Sequence, residues 1–316
     1  MNERMKIMIA YDGSECADAS IDDLRRAGLP SEVDALVVSV AEVWLPPPAK
    51  DEVLDDTFPL QIPAGVKRAR QHAAEIIKHA QELAERASRR IGHIFPQWTV
   101  QHEAVSGSPA WELLNRAREW RPRLLVVGSH GRTALGRFVL GSISQRVLTE
   151  ARCSVRVARG MMPVGEPPQR IVIGVDGSAV SLAAVRASAS RQWIAGSEAH
   201  VIVVCDPLTL TVTGSLIPPV AGAVEEINKE ERVRATKIAE EAAEELRKSN
   251  LAVLTVIEAG NPKQVLVEHA ERWGADSIFV GSTGFNSRVE RYLLGSVSAA
   301  IAARAHCSVE VVREPK

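Results

Sequence analysis

The chain is written twice. Ile7-Met-Ile-Ala-Tyr-Asp-Gly-Ser14 returns as Ile171-Val-Ile-Gly-Val-Asp-Gly-Ser178, and Ala117-Arg-Glu-Trp120 through Ser129 returns as Ala270-Glu-Arg-Trp273 through Ser282. Leu140-Gly-Ser142 matches Leu294-Gly-Ser296, and the copies close alike with Cys153-Ser-Val-Arg-Val157 and Cys307-Ser-Val-Glu-Val311. Internal repetition has to be read before any motif, because it sets the architecture. At 316 residues the chain holds two copies of roughly 150 residues, each long enough to bury a core without disulfides or metals. Between them, Gly160 to Gln169 carries Gly160, Pro163, Gly165, Pro167 and Pro168, a composition that neither a helix nor a central strand accepts. The expected domains are therefore residues 1–160 and 170–316.

Within the first copy, short runs rich in Val, Ile and Leu alternate with longer segments of helical period. The runs are Lys6 to Ala10, Ala35 to Val40, Trp98 to Ala104, Leu124 to Val127 and Val155 to Ala158. The helical segments are Ser14 to Arg26, Val66 to Ile91, Pro109 to Trp120 and Ser142 to Ala151. Near-continuous apolar strands alternating with helices are what a parallel sheet covered on both faces requires. The fold class expected is α/β: two tandem, open-twisted, mostly parallel five-stranded sheets with helices on both faces. One segment breaks the rhythm. Ala41 to Gly65 contains five prolines and the acidic group Asp51, Glu52, Asp55 and Asp56, and its counterpart is Asp206 to Gly222. Connections of that length serve as lids or as plain loops.

Charge narrows the partners. Thirty-eight Lys and Arg against thirty-nine Asp and Glu give a net charge of -1, which supplies no field for nucleic acid or an anionic membrane. The N-terminus, charged at Glu3, Arg4 and Lys6, lacks a signal peptide's apolar core, and no stretch approaches the ~20 apolar residues of a membrane span. Cys16, Cys153, Cys205 and Cys307 lie far apart without metal spacing. The expected location is the cytoplasm.

The chemistry concentrates after the fourth strand. Leu124-Leu-Val-Val127 runs into Gly128-Ser-His-Gly131, and nine residues later Gly141-Ser142 opens a helix. A helix N-terminus offers unpaired N–H groups and a positive dipole end, and glycines let an anion approach the backbone. Neither GxxxxGK[ST] nor GxGxxG is present. Each glycine also has a structural account as a turn or cap, and Ser14 with Asp12 reads equally as a helix cap with a favourable dipole charge.

The spacing Gly-x2-Gly-x9-Gly-Ser, with Asp-Gly-Ser closing the first strand, resembles the universal stress protein family, and the likeness runs through both copies almost end to end. The resemblance implies a Rossmann-like sheet of the adenine nucleotide alpha hydrolase-like type with strand order 3-2-1-4-5. It implies that Asp12 and Gly128 lie near a ribose and that Val40 presents its backbone to a base. Gly131, Gly141, Ser142 and Ile143 would contact phosphates. The second copy keeps Asp176, Val204, Gly281, Gly284, Gly295, Ser296 and Val297, but ten residues rather than nine separate Gly284 from Gly295, so that site is left open.

The function this implies is a stress-related regulatory protein of the tandem type that binds ATP or a related adenine nucleotide, with Mg²⁺ reaching the site only through the phosphates. Two alternatives stand beside it: a nucleotide-free dimerisation and signalling module, and a slow ATP-hydrolysing enzyme. Similar proteins pair through their last strands, so Val155 to Ala158 is expected to meet Val309 to Val312 about a pseudo-twofold axis, with a homodimer and unidentified protein partners left open. Arg132, Arg137, Arg288 and Arg291 read as surface charges beside the loops, and His130 as a loop residue without a catalytic partner. Trp120 and Trp273 are expected in the core, and Cys153 and Cys307 as small buried hydrophobes.

Overall fold

The computed structural model describes residues 4–43, 64–130, 140–159, 165, 167–206, 218–283 and 294–314. The first half runs β1 (Met5–Ala10), α1 (Glu15–Asp23), β2 (Val33–Ala41), α2 (Ala64–Ile94), β3 (Thr99–Ser106), α3 (Pro109–Trp120), β4 (Leu124–Gly128), α4 (Ser142–Glu150) and β5 (Ser154–Ala158). The second half repeats the order as β6 (Arg170–Gly174), α5 (Ala179–Ala189), β7 (Glu198–Cys205), α6 (Pro218–Arg247), β8 (Ala252–Ala259), α7 (Pro262–Trp273), β9 (Ser277–Gly281), α8 (Ser296–Arg304) and β10 (Ser308–Val312). The local reasons repeat too. Ser14 and Ser178 cap α1 and α5, accepting from the amides of Ala17 and Ser181. Pro109 and Pro262 open α3 and α7, where a missing N–H costs nothing. Both helices end on a left-handed residue, Arg121 and Gly274.

The strands lie in the order β3-β2-β1-β4-β5-β10-β9-β6-β7-β8. Each half is the expected parallel five-stranded sheet, and the two are joined edge to edge into a single sheet of ten. The junction is the antiparallel pair of β5 with β10, in the register Val155 to Val311, Arg156 to Glu310 and Val157 to Val309. Pairing the two last strands removes an exposed edge from each half.

One face of this sheet carries a core that crosses the junction without a break. Met8, Leu125, Val155 and Val157 join Val172, Ile278, Val309 and Val311 beneath α3, α4, α7 and α8. Trp120, Trp273 and Cys153 are partly buried against that core, and Cys307 is a buried member of it. The opposite face carries two separate cores. One lies under α1 and α2 and includes Ile7, Ile21 and Ile91; the other lies under α5 and α6 and includes Ile173, Ala239 and Phe279.

Gln169, at the end of the linker, is buried; its amide donates to Ser197 Oγ at 2.9 Å and its side chain accepts from Arg26 Nε at 3.1 Å. The rest of the linker except Gly165, Pro167 and Pro168 lies outside the described residues, as do residues 44–63 and 207–217 of the two long connections. Among the described residues no helix is long and apolar enough to cross a membrane.

Candidate functional site

In the first half β1 is flanked by β2 and β4, and the chain leaves it in opposite directions on its two sides. Such a switch point opens a crevice at the carboxyl ends of the strands. A cavity of about 400 Å³ fills it, within the range of small-molecule sites. Ala10 at the end of β1 with Tyr11 and Asp12 just after it, Val38 and Val40 from β2, and Val127 and Gly128 from β4 reach it from the sheet. Ile76, His79, Ala80 and Leu83 of α2, Leu113 of α3, and Gly141 to Ser144 at the start of α4 close it in. The cavity thus has an apolar end under α2 and a polar end at α4.

Several residues singled out in the sequence meet there: Asp12, Val40, Gly128, Gly141, Ser142 and Ile143 all line this space. Gly131, Arg132 and Arg137 lie outside the described residues, as do Gly284, Arg288 and Arg291 of the second half.

Val40 faces the cavity for a reason of strand geometry. Tyr11 N–H donates to Val38 C=O at 3.0 Å, one residue beyond the end of β1. Backbone groups two residues apart in a strand point the same way, so the N–H and C=O of Val40 project past the end of β1, where no further strand residue meets them.

Asp12 is held by its own turn. One carboxylate oxygen accepts from Ser14 N–H at 3.0 Å, and Gly13 between them sits at φ +77°, where a Cβ would stand 2.7 Å from Leu83 Cδ2. Asp176 and Gly177 repeat the arrangement. Tyr11, beside Asp12, donates to Asp18 Oδ1 at 2.7 Å and accepts from Arg86 Nη2 at 3.1 Å, tying α1 and α2 to the rim.

At α4 the glycine pattern divides into roles that spacing alone does not separate. Gly141 N–H donates to Ser129 C=O at 2.8 Å, and Ser144 Oγ donates to Gly128 C=O at 2.7 Å. The amide of Gly141 is therefore spent inside the protein, pinning the start of the helix to the end of β4. The donors that the helix leaves unused are those of Ser142, Ile143 and Ser144, which precede the first intrahelical bond from Gln145 N–H to Gly141 C=O. Gly128 is needed for close packing: a Cβ there would lie 3.0 Å from Cys16 C=O and 3.1 Å from its carbonyl carbon.

The second half is pinned identically, by Gly295 N–H to Ser282 C=O at 2.6 Å and by Ser298 Oγ to Gly281 C=O. A Cβ on Gly281 would come within 3.0 Å of the backbone of Val180 and Ser181. The extra residue of the second loop falls between these pins, in Phe285 to Leu294, all of which but Leu294 lies outside the described residues. The first-turn amides of Ser296, Val297 and Ser298 keep the posture of their counterparts.

His130 projects into the cavity with Nδ1 3.0 Å from Ser129 Oγ, while Nε2 is buried without a hydrogen-bond partner among the described residues. Burial, and then the Arg159 guanidinium, push its pKa below the ordinary histidine value. The residues that sequence reading passed over are Ile76, His79 and Leu83: the apolar stripe of α2 reads as a sheet cover, and it is its middle turns that overhang the crevice. Among the described residues no group of three or more His, Cys, Asp or Glu could hold a metal.

The universal stress protein family model matches residues 3–159 and again 168–313. A universal stress protein of Methanocaldococcus jannaschii is 36% identical over 151 residues, covering 47% of this chain and 84% of that protein. One of Mycobacterium tuberculosis is 27% identical over 99% of this chain and 98% of its own length. Among solved structures, a universal stress protein from Archaeoglobus fulgidus covers 98% of both chains with a TM-score of 0.60 at 19% identity. The chain belongs to the universal stress protein family, with two of its domains in tandem.

Proposed function

We propose that the first half binds ATP or a related adenine nucleotide in the crevice between β1, β2 and β4, and that occupancy regulates the protein's contacts with others. The observation that carries this reading is the convergence, on one cavity, of three features of differing chemistry. An apolar end formed by Val38, Ile76, Ala80, Leu83 and Leu113 suits a heterocyclic base. The Val40 backbone lies beyond the end of β1, where a base edge can bond with it. The unused first-turn amides of α4 and the orphaned Nε2 of His130 suit phosphates.

Mg²⁺ would be held through the phosphates rather than by a protein cluster, and Asp12 is the nearest candidate to reach it. The second half carries the same pins and the same helix start, which supports a second site of similar posture.

Nucleotide released from freshly purified protein and identified by chromatography tests the reading directly, and its amount per chain counts the sites. Thermal melts give the parallel measurement. ATP with Mg²⁺ at about 100 times the dissociation constant should add roughly 2.7 kcal/mol to the folded state. No released nucleotide together with no shift would overturn the proposal and leave the nucleotide-free module.

A further inference from the structure

The junction of the two halves contains contacts of two kinds. The first kind is symmetric. Arg159 follows β5 and donates to Ala305 C=O, and to Ala303 C=O at 3.2 Å, at the end of α8. Its counterpart Arg313 follows β10 and donates to Leu148 C=O at 2.6 Å near the end of α4. Each guanidinium thus sits on the negative end of the other half's last helix. Ser154 Oγ accepts from Arg313 N–H at 3.1 Å, and Ser308 Oγ accepts from Arg159 N–H at 2.9 Å. Because both members of each set are alike, two first halves or two second halves meeting through the same edge could form them equally well.

The second kind is asymmetric. Arg26 pairs with Asp276, Gln192 N–H donates to Gly28 C=O at 2.7 Å, and Ser308 Oγ donates to Asp23 Oδ1 at 2.7 Å. The asymmetric contact between the two paired strands themselves lies at the pseudo-twofold axis. Arg156 stands directly opposite Glu310 in the register, with Nη1 3.5 Å from Oε2, and both side chains are buried. Each is fixed from its own half: Asp23 of α1 accepts from Arg156 Nε at 2.6 Å and Nη2 at 3.1 Å, and Arg191 pairs with Glu310. Neither charge can swing out to water. Across the axis the signs therefore alternate, as Asp23, Arg156, Glu310, Arg191. A pair of first halves would instead read Asp23, Arg156, Arg156, Asp23, with two guanidinium groups facing each other in the dry centre of a sheet. A pair of second halves would place two carboxylates there. Like charges directly opposite in an antiparallel pair are unfavourable, and burial aggravates them.

We infer that the Arg156–Glu310 pair is a recognition code for this strand edge: β5 accepts a partner strand carrying a carboxylate at the axis, β10 accepts one carrying a cation, and like halves reject each other. The symmetric contacts supply adhesion and the axis pair supplies identity. The consequence is that the chain closes on itself instead of exchanging halves with a second copy.

The test keeps the whole chain until it has folded. A protease site is placed in the linker between Gly160 and Gly165, the purified protein is cut, diluted and reconcentrated, and the pairs are weighed by native mass spectrometry. The halves differ in mass, so like and unlike pairs separate. Indifference would leave about half of the pairs unlike; the code requires unlike pairs to exceed like ones by at least about tenfold. In cut E310Q, whose fold is checked by circular dichroism, pairs of two second halves should appear, because one of the repelling charges has been removed from each. Comparable like and unlike pairs in the cut parent would overturn the inference. An unchanged distribution in E310Q would overturn it as well, by placing the selectivity elsewhere in the junction. Dissociation into single halves on cutting would do the same, since a code needs a pair that forms without the tether.

Discussion

At Ile143 stability and affinity should part company. The side chain is 39% exposed in the first turn of α4 and borders the cavity. A carboxylate there complements the positive end of the helix, contributing about 0.3–1 kcal/mol, yet it faces the place assigned to phosphate. Ile143→Asp is expected to hold or raise the melting temperature while weakening ATP binding at least about tenfold by calorimetric titration. Unchanged affinity would put the phosphates elsewhere. A second residue, His200, sets a pH limit. It stacks on Trp273 at 3.6 Å between ring centres, and its Nδ1 lies 2.9 Å from His269 Nε2, which in turn is oriented by Glu258 at 2.9 Å. Burial first, then His269, hold its pKa below 6.5; Arg170 works in the same direction and Glu198 against it. The fold therefore favours neutral His200, whereas the unfolded chain takes up a proton near 6.5. Its contribution is complete above that value and fades as pH falls below it. Urea midpoints at pH 7.5 and 5.5 should differ less in His200→Phe than in the parent; an equal difference would acquit this residue. Residue roles were only partly legible in the sequence. Spacing singled out Asp12, Gly128 and Gly141, which line one cavity, but it cannot say which way an amide points. Gly141 spends its N–H on Ser129, and Gly128 answers to the backbone of Cys16.

Elements were more legible, because each is dictated by local chemistry. The span Pro109–Trp120 of α3 follows from a proline that only a first turn tolerates and from the apolar spacing behind it. Strand β3 was the weakest signal among the strands, since Thr99, Gln101, His102 and Glu103 interrupt its apolar run. Its place at the outer edge of the sheet is the reason: one side is unpaired and partly open to water, and polar residues protect it. What no local rule could show is how α4 and α8 are terminated. Neither helix carries a glycine cap; instead, an arginine from the other half reaches the last carbonyls. Burial pulls Arg313 down to about 10, so its charged form persists at neutral pH but against a desolvation cost that the helix end offsets. Arg313→Met should keep much of the side-chain packing and lose the charged hydrogen bond to Leu148, lowering stability by about 1–3 kcal/mol in chemical denaturation. A loss below a few tenths would mean that water or a neighbour replaces the guanidinium.

For the whole molecule, the repeat foretold two sheets and the family resemblance a meeting of their last strands; the structure joins them into a single sheet with one core crossing the junction. The charge network on the other face was not legible in the sequence: the closing motifs show Arg156 where the second copy has Glu310, but not that the two face each other, and Asp23 stands 133 positions from Arg156. Its placement matters for cooperativity. On one face the halves share a continuous apolar core; on the other, two separate cores are bridged by buried charges and by the contact of Gly28 with Gln192 and Trp193. A half that unfolded alone would expose the shared core of its neighbour and leave either Arg156 or Glu310 without its partner across the axis. Both penalties fall on the half still folded, so partial unfolding gains little. The parent protein should therefore melt in one transition with calorimetric and van't Hoff enthalpies in agreement. Arg156→Met removes both charged hydrogen bonds to buried Asp23, which keeps the bond from the Ser308 hydroxyl, and takes from Glu310 the cation across the axis, at a cost of about 3–5 kcal/mol. Because that cost is levied on the junction, the same variant should split the melt into two steps or bring the van't Hoff enthalpy below the calorimetric one. Two transitions already present in the parent would show instead that the shared core is too weak to couple the halves.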